Sequence, residues 1–234
     1  MKALILAAGR GSRLAPLTDD KPKTLVEVNG ISILGKQIEN LIKYGINDII
    51  VVTGYLYNKI VDFLNHKYPF VKTIVIPEYN STNNMYSAYK AMNYLANTDF
   101  LMMNGDVFFD AEIINNLINC SSANAIAVQP NTYIEESMKV VAVNDRVIHI
   151  SKTIDPQYAY GVSIDLYKFS PAGSKRFFNI AAEYIEVFGE KKLWSEVALD
   201  KTLDSIEFGI CNVYNKWIEI DNFEDLKKAE ELFA

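Results

Sequence analysis

The amino-acid sequence predicts an α/β fold with a mostly parallel central sheet, helices on both faces, and a mixed β extension. Three observations carry this expectation. The apolar runs are short and rich in β-branched residues, as buried strands require. Segments with helical apolar spacing alternate with them as far as about residue 130. Beyond that point the pattern changes to pairs of short runs with turn residues between them.

Lys2–Ala8 reads as a buried strand that runs into a glycine loop. Ile33–Tyr44 places Ile33, Leu34, Ile38, Leu41 and Ile42 on one helical face, and Gly45 supplies the stop. Ile49–Thr53 is the next strand, Tyr57–His66 a helix, Thr73–Ile76 a strand and Asn84–Leu95 a helix. Phe100–Met103 then reads as a strand leading into Gly105-Asp106. Lys139–Val143 and Val147–Ile150 form a hairpin pattern around Asn144-Asp145. Strand-like runs follow at Tyr160–Leu166, Ile206–Val213 and Trp217–Ile220, with helices at Phe177–Phe188 and Phe223–Leu232. No internal repeat, low-complexity segment or flexible linker interrupts the chain, so residues 1–234 are expected to form a single domain.

Composition narrows the function classes. The chain has 234 residues, 50% hydrophobic and 22% charged, and a chain of this length buries roughly 70% of its unfolded surface. That balance excludes disordered and fibrous classes. The net charge of −6, from 29 acidic and 23 basic residues, argues against a broad nucleic-acid-binding face. It leaves room for a local basic pocket. Cys120 and Cys211 provide neither a disulfide framework nor zinc spacing, and read as small buried hydrophobes. The first apolar run is about six residues, shorter than a signal-peptide core. No window approaches the roughly 18 apolar residues of a membrane span. A cytoplasmic protein without membrane insertion is therefore expected.

The most informative segment is Leu6-Ala-Ala-Gly-Arg-Gly-Ser-Arg-Leu14, followed by Lys21-Pro-Lys-Thr-Leu25. Gly9 and Gly11 lie just past a strand, where the backbone can approach a ligand closely and turn its amides toward phosphate oxygens. Arg13 and Lys23 add two positive charges. The chain has only four arginines, Arg10, Arg13, Arg146 and Arg176, and two of them sit in this loop. In an acidic protein that concentration points to a polyphosphate ligand. A dinucleotide fingerprint needs a small residue where Leu14 stands. A P-loop needs a Gly-Lys-Ser/Thr that is absent.

What the segment does match is a nucleotidyltransferase signature, Leu-Ala-Ala-Gly-x-Gly-Ser/Thr-Arg-Leu with Pro-Lys downstream. On these residues the chain resembles the sugar-phosphate nucleotidyltransferase family, and within it the phosphocholine-type cytidylyltransferases and relatives acting on small phosphorylated acceptors such as L-glutamine phosphate. The resemblance implies a Rossmann-like GT-A fold, Mg²⁺ as cofactor, CTP as donor, and pyrophosphate release. It divides the chain into a nucleotide-binding part, about residues 1–130, and an acceptor-binding part, about 131–234. Leu6, Ala7, Ala8, Gly9, Gly11, Ser12, Arg13 and Lys23 would surround the nucleotide, with Arg13 and Lys23 as the catalytic cations. Asn83, Asn84 and Ser87, which both donate and accept hydrogen bonds, would face the base; they fit helix N-capping equally. Asp106 matches the family's metal-bearing aspartate, and Asp221 resembles the second metal carboxylate, although it also suits the cap of the last helix. Lys152, Tyr160, Gly161, Trp194 and Glu196 would form the acceptor site, an aromatic and acidic pocket suited to an amine or quaternary ammonium. Ordinary core packing of Trp194 is the competing reading.

The resulting functional expectation is transfer of CMP from CTP to phosphocholine, phosphoethanolamine or a phosphorylated amide, in capsule or surface-polysaccharide decoration. A sugar-1-phosphate nucleotidyltransferase shares the first loop, but usually has a longer segment before the base-reading helix than Asn80-Ser-Thr-Asn-Asn84. A catalytically inert nucleotide-binding homologue is the third reading. The sequence leaves the oligomeric state open, with a homodimer among the options.

Overall fold

The computed structural model describes residues 1–234. Strand β1 (Lys2–Ala7) leads through the glycine loop to a short hairpin, β2 (Glu27–Val28) and β3 (Ile31–Ser32), and then to α1 (Ile33–Lys43). Next come β4 (Asp48–Thr53), α2 (Tyr57–Lys67), β5 (Lys72–Val75), α3 (Asn84–Lys90) and α4 (Met92–Leu95). The middle of the chain holds β6 (Phe100–Asn104), β7 (Val107–Phe109), α5 (Glu112–Ile118) and β8 (Ala125–Pro130). A hairpin of β9 (Lys139–Val143) and β10 (Arg146–Ser151) precedes β11 (Gly161–Phe169) and α6 (Pro171–Ala182), which a π-helical turn at Glu183–Val187 extends. The chain continues with α7 (Ser195–Leu203), β12 (Phe208–Asn212), β13 (Trp217–Glu219) and α8 (Phe223–Leu232).

Nine strands form one sheet in the order β5-β4-β1-β6-β11-β8-β12-β10-β9. The first four are mutually parallel. Strand β11 then enters antiparallel between β6 and β8, so the sheet is parallel through its first part and mixed beyond it. Strand β9 pairs with β10 and also returns to β11. Through β8, β12 and β10 those contacts close into a ring. At the turn of the hairpin, Asn144 and Asp145 have φ of 51° and 60°, the left-handed pair that a two-residue hairpin of this hand requires.

The two sheet faces divide the core by strand alternation. Ala3, Ile5 and Ala7 point to α1, α2 and α5 through Leu34, Ile38, Leu41, Ile60, Leu64 and Ile113. Leu4 and Leu6 point to the other face, where α3, α6 and α7 contribute Met85, Phe177, Phe178, Ala198 and Leu199. A third cluster joins Leu14 of the first loop and Val26 to Phe108, Ile220, Leu226 and Ala229. It fastens α8 and the end of β13 beneath the glycine loop. No helix is long and apolar enough to cross a membrane.

Two expected helices differ in extent. Asn84–Leu95 divides at Ala91 into α3 and α4. The helix expected at Phe177 starts at Pro171, because Ser170 accepts the Gly173 amide as N-cap and proline occupies the first turn. Strands β2, β3, β7 and β8 and helices α5 and α7 have no counterpart in the sequence reading.

Phe169 stacks on Phe100, with ring centroids 4.7 Å apart, and meets Phe177 at 5.1 Å and Phe208 at 5.4 Å. It thereby ties the parallel strands to the mixed ones. Phe169→Ala should cost about 3–5 kcal/mol, read as a fall in the urea midpoint at unchanged slope. A loss below about 1 kcal/mol would mean that this cluster does not join the two halves.

Candidate active site

The strand ends β1, β6 and β13 and the loops that follow them open onto a cleft of about 380 Å³. Ligands collect at such carboxyl ends in open α/β sheets. On one wall lie Leu6, Ala7, Ala8, Gly9, Gly11, Ser12 and Arg13, and beside them Lys23 and Thr24. Asn83, Asn84 and Ser87 come from the start of α3, and Asp106 from the β6–β7 turn. Lys152, Trp194, Glu196 and Asp221 complete the set of sequence-expected residues on the cleft walls.

The glycine loop is shaped around a lysine. Gly11 has φ of 66°, and a Cβ there would stand 2.6 Å from Cβ of Lys23. Glycine is thus needed twice, for the left-handed turn and for the close approach of the lysine stem. The Thr18 hydroxyl donates to the Gly11 carbonyl at 2.9 Å and fixes the turn. Lys23 is only 9% exposed. Its Nζ donates to Asp106 Oδ2 at 2.8 Å and to Asp221 Oδ1 at 2.6 Å. Arg13 meets the other oxygen of Asp221 at 2.8 Å. Burial works against the Lys23 ammonium, but the two facing carboxylates outweigh it and hold its pKa above the ordinary lysine value. Burial alone would raise Asp221; Lys23 and Arg13 instead hold it below the ordinary aspartate value.

Asp221 is not the cap of the last helix. Asn222 fills that place, its Oδ1 accepting the Glu224 and Asp225 amides, while Asp225 returns a bond from the Asn222 amide. The capping box therefore leaves the Asp221 carboxylate turned to the cleft. Glu219 stands two residues earlier on β13, on the same strand face. Asp106, Glu219 and Asp221 have carboxylate oxygens within 4.8 Å of one another. Asp106 Oδ1 is buried without a partner. Burial, and then the charges of Asp106, Asp165 and Asp221, push the Glu219 pKa up to about 9. An all-oxygen donor set with one unpartnered buried oxygen fits a hard divalent cation.

At the start of α3 the two readings divide by residue. Asn83 Oδ1 accepts the Asn84 amide as N-cap, and its Nδ2 donates to the Lys192 carbonyl at 3.2 Å. Asn84 Oδ1 accepts the Ser195 amide at 2.8 Å and so caps α7. The asparagines tie α3 to the segment before α7. Ser87 is 5% exposed on the cleft wall.

Two acceptor-side expectations are corrected. Tyr160 and Gly161 lie off the cleft. The Tyr160 hydroxyl donates to Asn212 at 3.0 Å. A Cβ on Gly161 would stand 2.1 Å from the Gln129 carbonyl, so the glycine answers to the close packing of β8 against β11. The Trp217 indole donates to Gln129 at 2.7 Å. Trp194 is 44% exposed, and Lys152 Nζ sits 4.8 Å from its ring centre. Sequence reasoning missed Glu219 and Asp165. Alternation along Ile218-Glu-Ile-Asp221 was a usable signal for the first. For the second there was none: Asp165 occupies a bulge of β11 with φ of 58°, a conformation that non-glycine residues hold at a cost of about 1–3 kcal/mol. Burial, and then the charges of Glu196 and Asp106, push the Asp165 pKa up to about 7.

A glycine loop, two cations and three carboxylates that could hold a metal ion gather at strand ends, an arrangement that suits phosphoryl or nucleotidyl transfer. Residues 2–139 match the nucleotidyl transferase family, to which the chain belongs. It is 30% identical to the choline-phosphate cytidylyltransferase of Streptococcus pneumoniae, over 99% of this chain and 98% of that one. It is 28% identical to the CTP:phosphoglutamine cytidylyltransferase of Campylobacter jejuni, over 97% and 98%. The solved structure of a CTP:phosphocholine cytidylyltransferase from Streptococcus pneumoniae superposes with a TM-score of 0.81 at 26% identity, covering 100% of this chain and 99% of that one. The protein is an enzyme of the nucleotidyltransferase class.

Gly11→Ala should displace the Lys23 stem and add a left-handed strain of about 1–2 kcal/mol. The expected outcome is a lowered melting temperature together with at least a tenfold loss of pyrophosphate release. Full activity in this variant would show that the loop does not position Lys23.

Proposed function

We propose that the protein transfers CMP from CTP to the phosphate or phosphonate oxygen of a small acceptor and releases pyrophosphate. The observation that carries this reading is Lys23 Nζ set between Asp106 and Asp221 at the mouth of the glycine loop. It brings the cation expected for the α-phosphate and two of the carboxylates expected for a metal to one point. The relatives that match along nearly the whole chain supply the donor and the acceptor class.

In the reaction an acceptor oxygen forms a bond to the α-phosphorus as the bond to the β-phosphate oxygen breaks. The electron pair leaves with pyrophosphate, so no covalent enzyme intermediate is needed. The chain's work is positioning and charge neutralisation. Backbone amides of Ala8, Gly9, Gly11 and Ser12 face the triphosphate. Arg13 and Lys23 offset its charge, exchanging their carboxylate partners for phosphate oxygens. Ser87 and the backbone around Ala7 face the base, while Asn83 and Asn84 hold the α3 start against the α7 segment. Lys152 faces the acceptor phosphate. Asp106, Asp221 and Glu219 would hold Mg²⁺, which polarises the α-phosphate when bound. Surface or capsule decoration is the pathway setting that this acceptor class suggests.

A pyrophosphate-release screen of four nucleoside triphosphates against phosphorylated acceptors should give turnover with CTP and small amine or amide phosphates. Turnover confined to sugar 1-phosphates would replace this reading with the sugar-nucleotide one. Lys23→Ala and Asp106→Asn should each lower kcat by on the order of 10²–10³-fold, the scale of losing one transition-state charge contact, without unfolding the chain. Chelation with EDTA should abolish turnover and added Mg²⁺ restore it. Turnover unaffected by chelation would contradict the carboxylate assignment.

A further inference from the structure

Six acidic side chains line the cleft, Asp106, Glu136, Asp165, Glu196, Glu219 and Asp221, against three basic ones, Arg13, Lys23 and Lys152. The basic groups and a metal on the triad account for the nucleotide end. Glu136, Asp165 and Glu196 remain; Glu136 is exposed at the rim, whereas Asp165 and Glu196 have hydrogen bonds that do not balance. The hydroxyl of Tyr167 lies 3.0 Å from Asp165 Oδ1 and 2.9 Å from Glu196 Oε1. A phenol has one proton, so it serves only one of these two carboxyls at a time. Asn104 donates to Asp165 Oδ2 at 2.9 Å, and the Ser195 hydroxyl lies 3.1 Å from Glu196 Oε1. Glu196 Oε2 has no partner at all, although the residue is only 2% exposed and lines the cleft. A buried carboxylate oxygen without a donor is costly.

The missing element is a cation that brings N–H bonds. A quaternary ammonium offers charge but no hydrogen to Oε2. Its usual partner is an aromatic face, and Trp194 on the cleft wall is 44% exposed with Lys152 Nζ 4.8 Å from its ring centre, whereas the unpartnered oxygen belongs to Glu196. We infer that Asp165, Tyr167 and Glu196 form an acceptor subsite for a nitrogen cation bearing N–H bonds, which makes the acceptor a phosphate or phosphonate carrying a primary ammonium group. The inference rests on the CMP-transfer reading above. Asp165 and Glu196 set specificity, and the bulge of β11 exists to turn Asp165 into the cleft.

The test is kcat/KM for pyrophosphate release with CTP, Mg²⁺ and three acceptors of equal length: ethanolamine phosphate, choline phosphate and ethyl phosphate. The wild-type enzyme should favour ethanolamine phosphate over each of the others by at least about 50-fold, the scale on which a hydrogen-bonding site rejects a ligand lacking its donor. Glu196→Gln and Asp165→Asn should each bring the preference over ethyl phosphate below about fivefold, a ratio that general loss of structure does not move. Equal use of the three acceptors, or a preference for choline phosphate, overturns the inference while CMP transfer stands. A preference that survives both substitutions also overturns it. No transfer from CTP to any acceptor overturns the reading and the inference together. If either variant fails to fold, the wild-type comparison alone decides.

Discussion

One ammonium group organises this active site. Lys23 Nζ joins Asp106, in the turn after β6, to Asp221, two residues beyond β13. The three residues come from the first loop, the middle and the last part of the chain. A lysine so buried stays charged because both carboxylates face it and hold its pKa above the ordinary value against the effect of burial. The glycine loop must bend tightly to let the lysine stem pass, and α8 must be capped by Asn222 so that Asp221 is free to meet it. Each local device serves that one contact, and the third apolar cluster beneath it holds the loop and α8 at a fixed separation.

The sheet topology distributes the remaining chemistry. The parallel strands β1 and β6 deliver the glycine loop and Asp106 from their carboxyl ends. Strand β11 runs antiparallel to β6 and carries Asp165. Its register shift between Ser163 and Tyr167 sets Asp165 beside Asn104 of β6. A single strand therefore links the nucleotide end of the cleft to its acidic far wall. Helix α7, held by Asn84 through the Ser195 amide, adds Glu196 to that wall. The two ends of the cleft are thus joined by the β6–β11 pairing and by side-chain bonds of Asn104 and Asn84.

Much of this was legible in the sequence because it depends on local pattern. The glycine loop, Arg13, Lys23 and the strand ending before Asp106 were readable from spacing, and strand–helix alternation indicated the parallel half. Glu219 was readable in principle, since a strand places alternate residues on one face. The role of Asn222 was obscured by the adjacent Asp221, because both residue types cap helices well. Asp165 was out of reach: its place depends on a bulge set by pairing with a strand far away in sequence. Gly161 misled for the same reason, since a glycine that admits a neighbouring strand looks the same as one that admits a ligand. The mixed order of the second half follows from where β11 inserts, which local periodicity does not encode.

The central claim is that Lys23 holds, by its own charge, the place between carboxylates that a divalent cation shares during turnover. Calorimetric titration of Mg²⁺ into the nucleotide-free protein tests it directly, with Lys23→Met beside the wild type. Removing the ammonium leaves Asp106 without its cation and Asp221 with Arg13 alone, so the variant should bind Mg²⁺ at least about tenfold more tightly, a difference of about 1.4 kcal/mol. Equal or weaker binding by the variant would contradict the account.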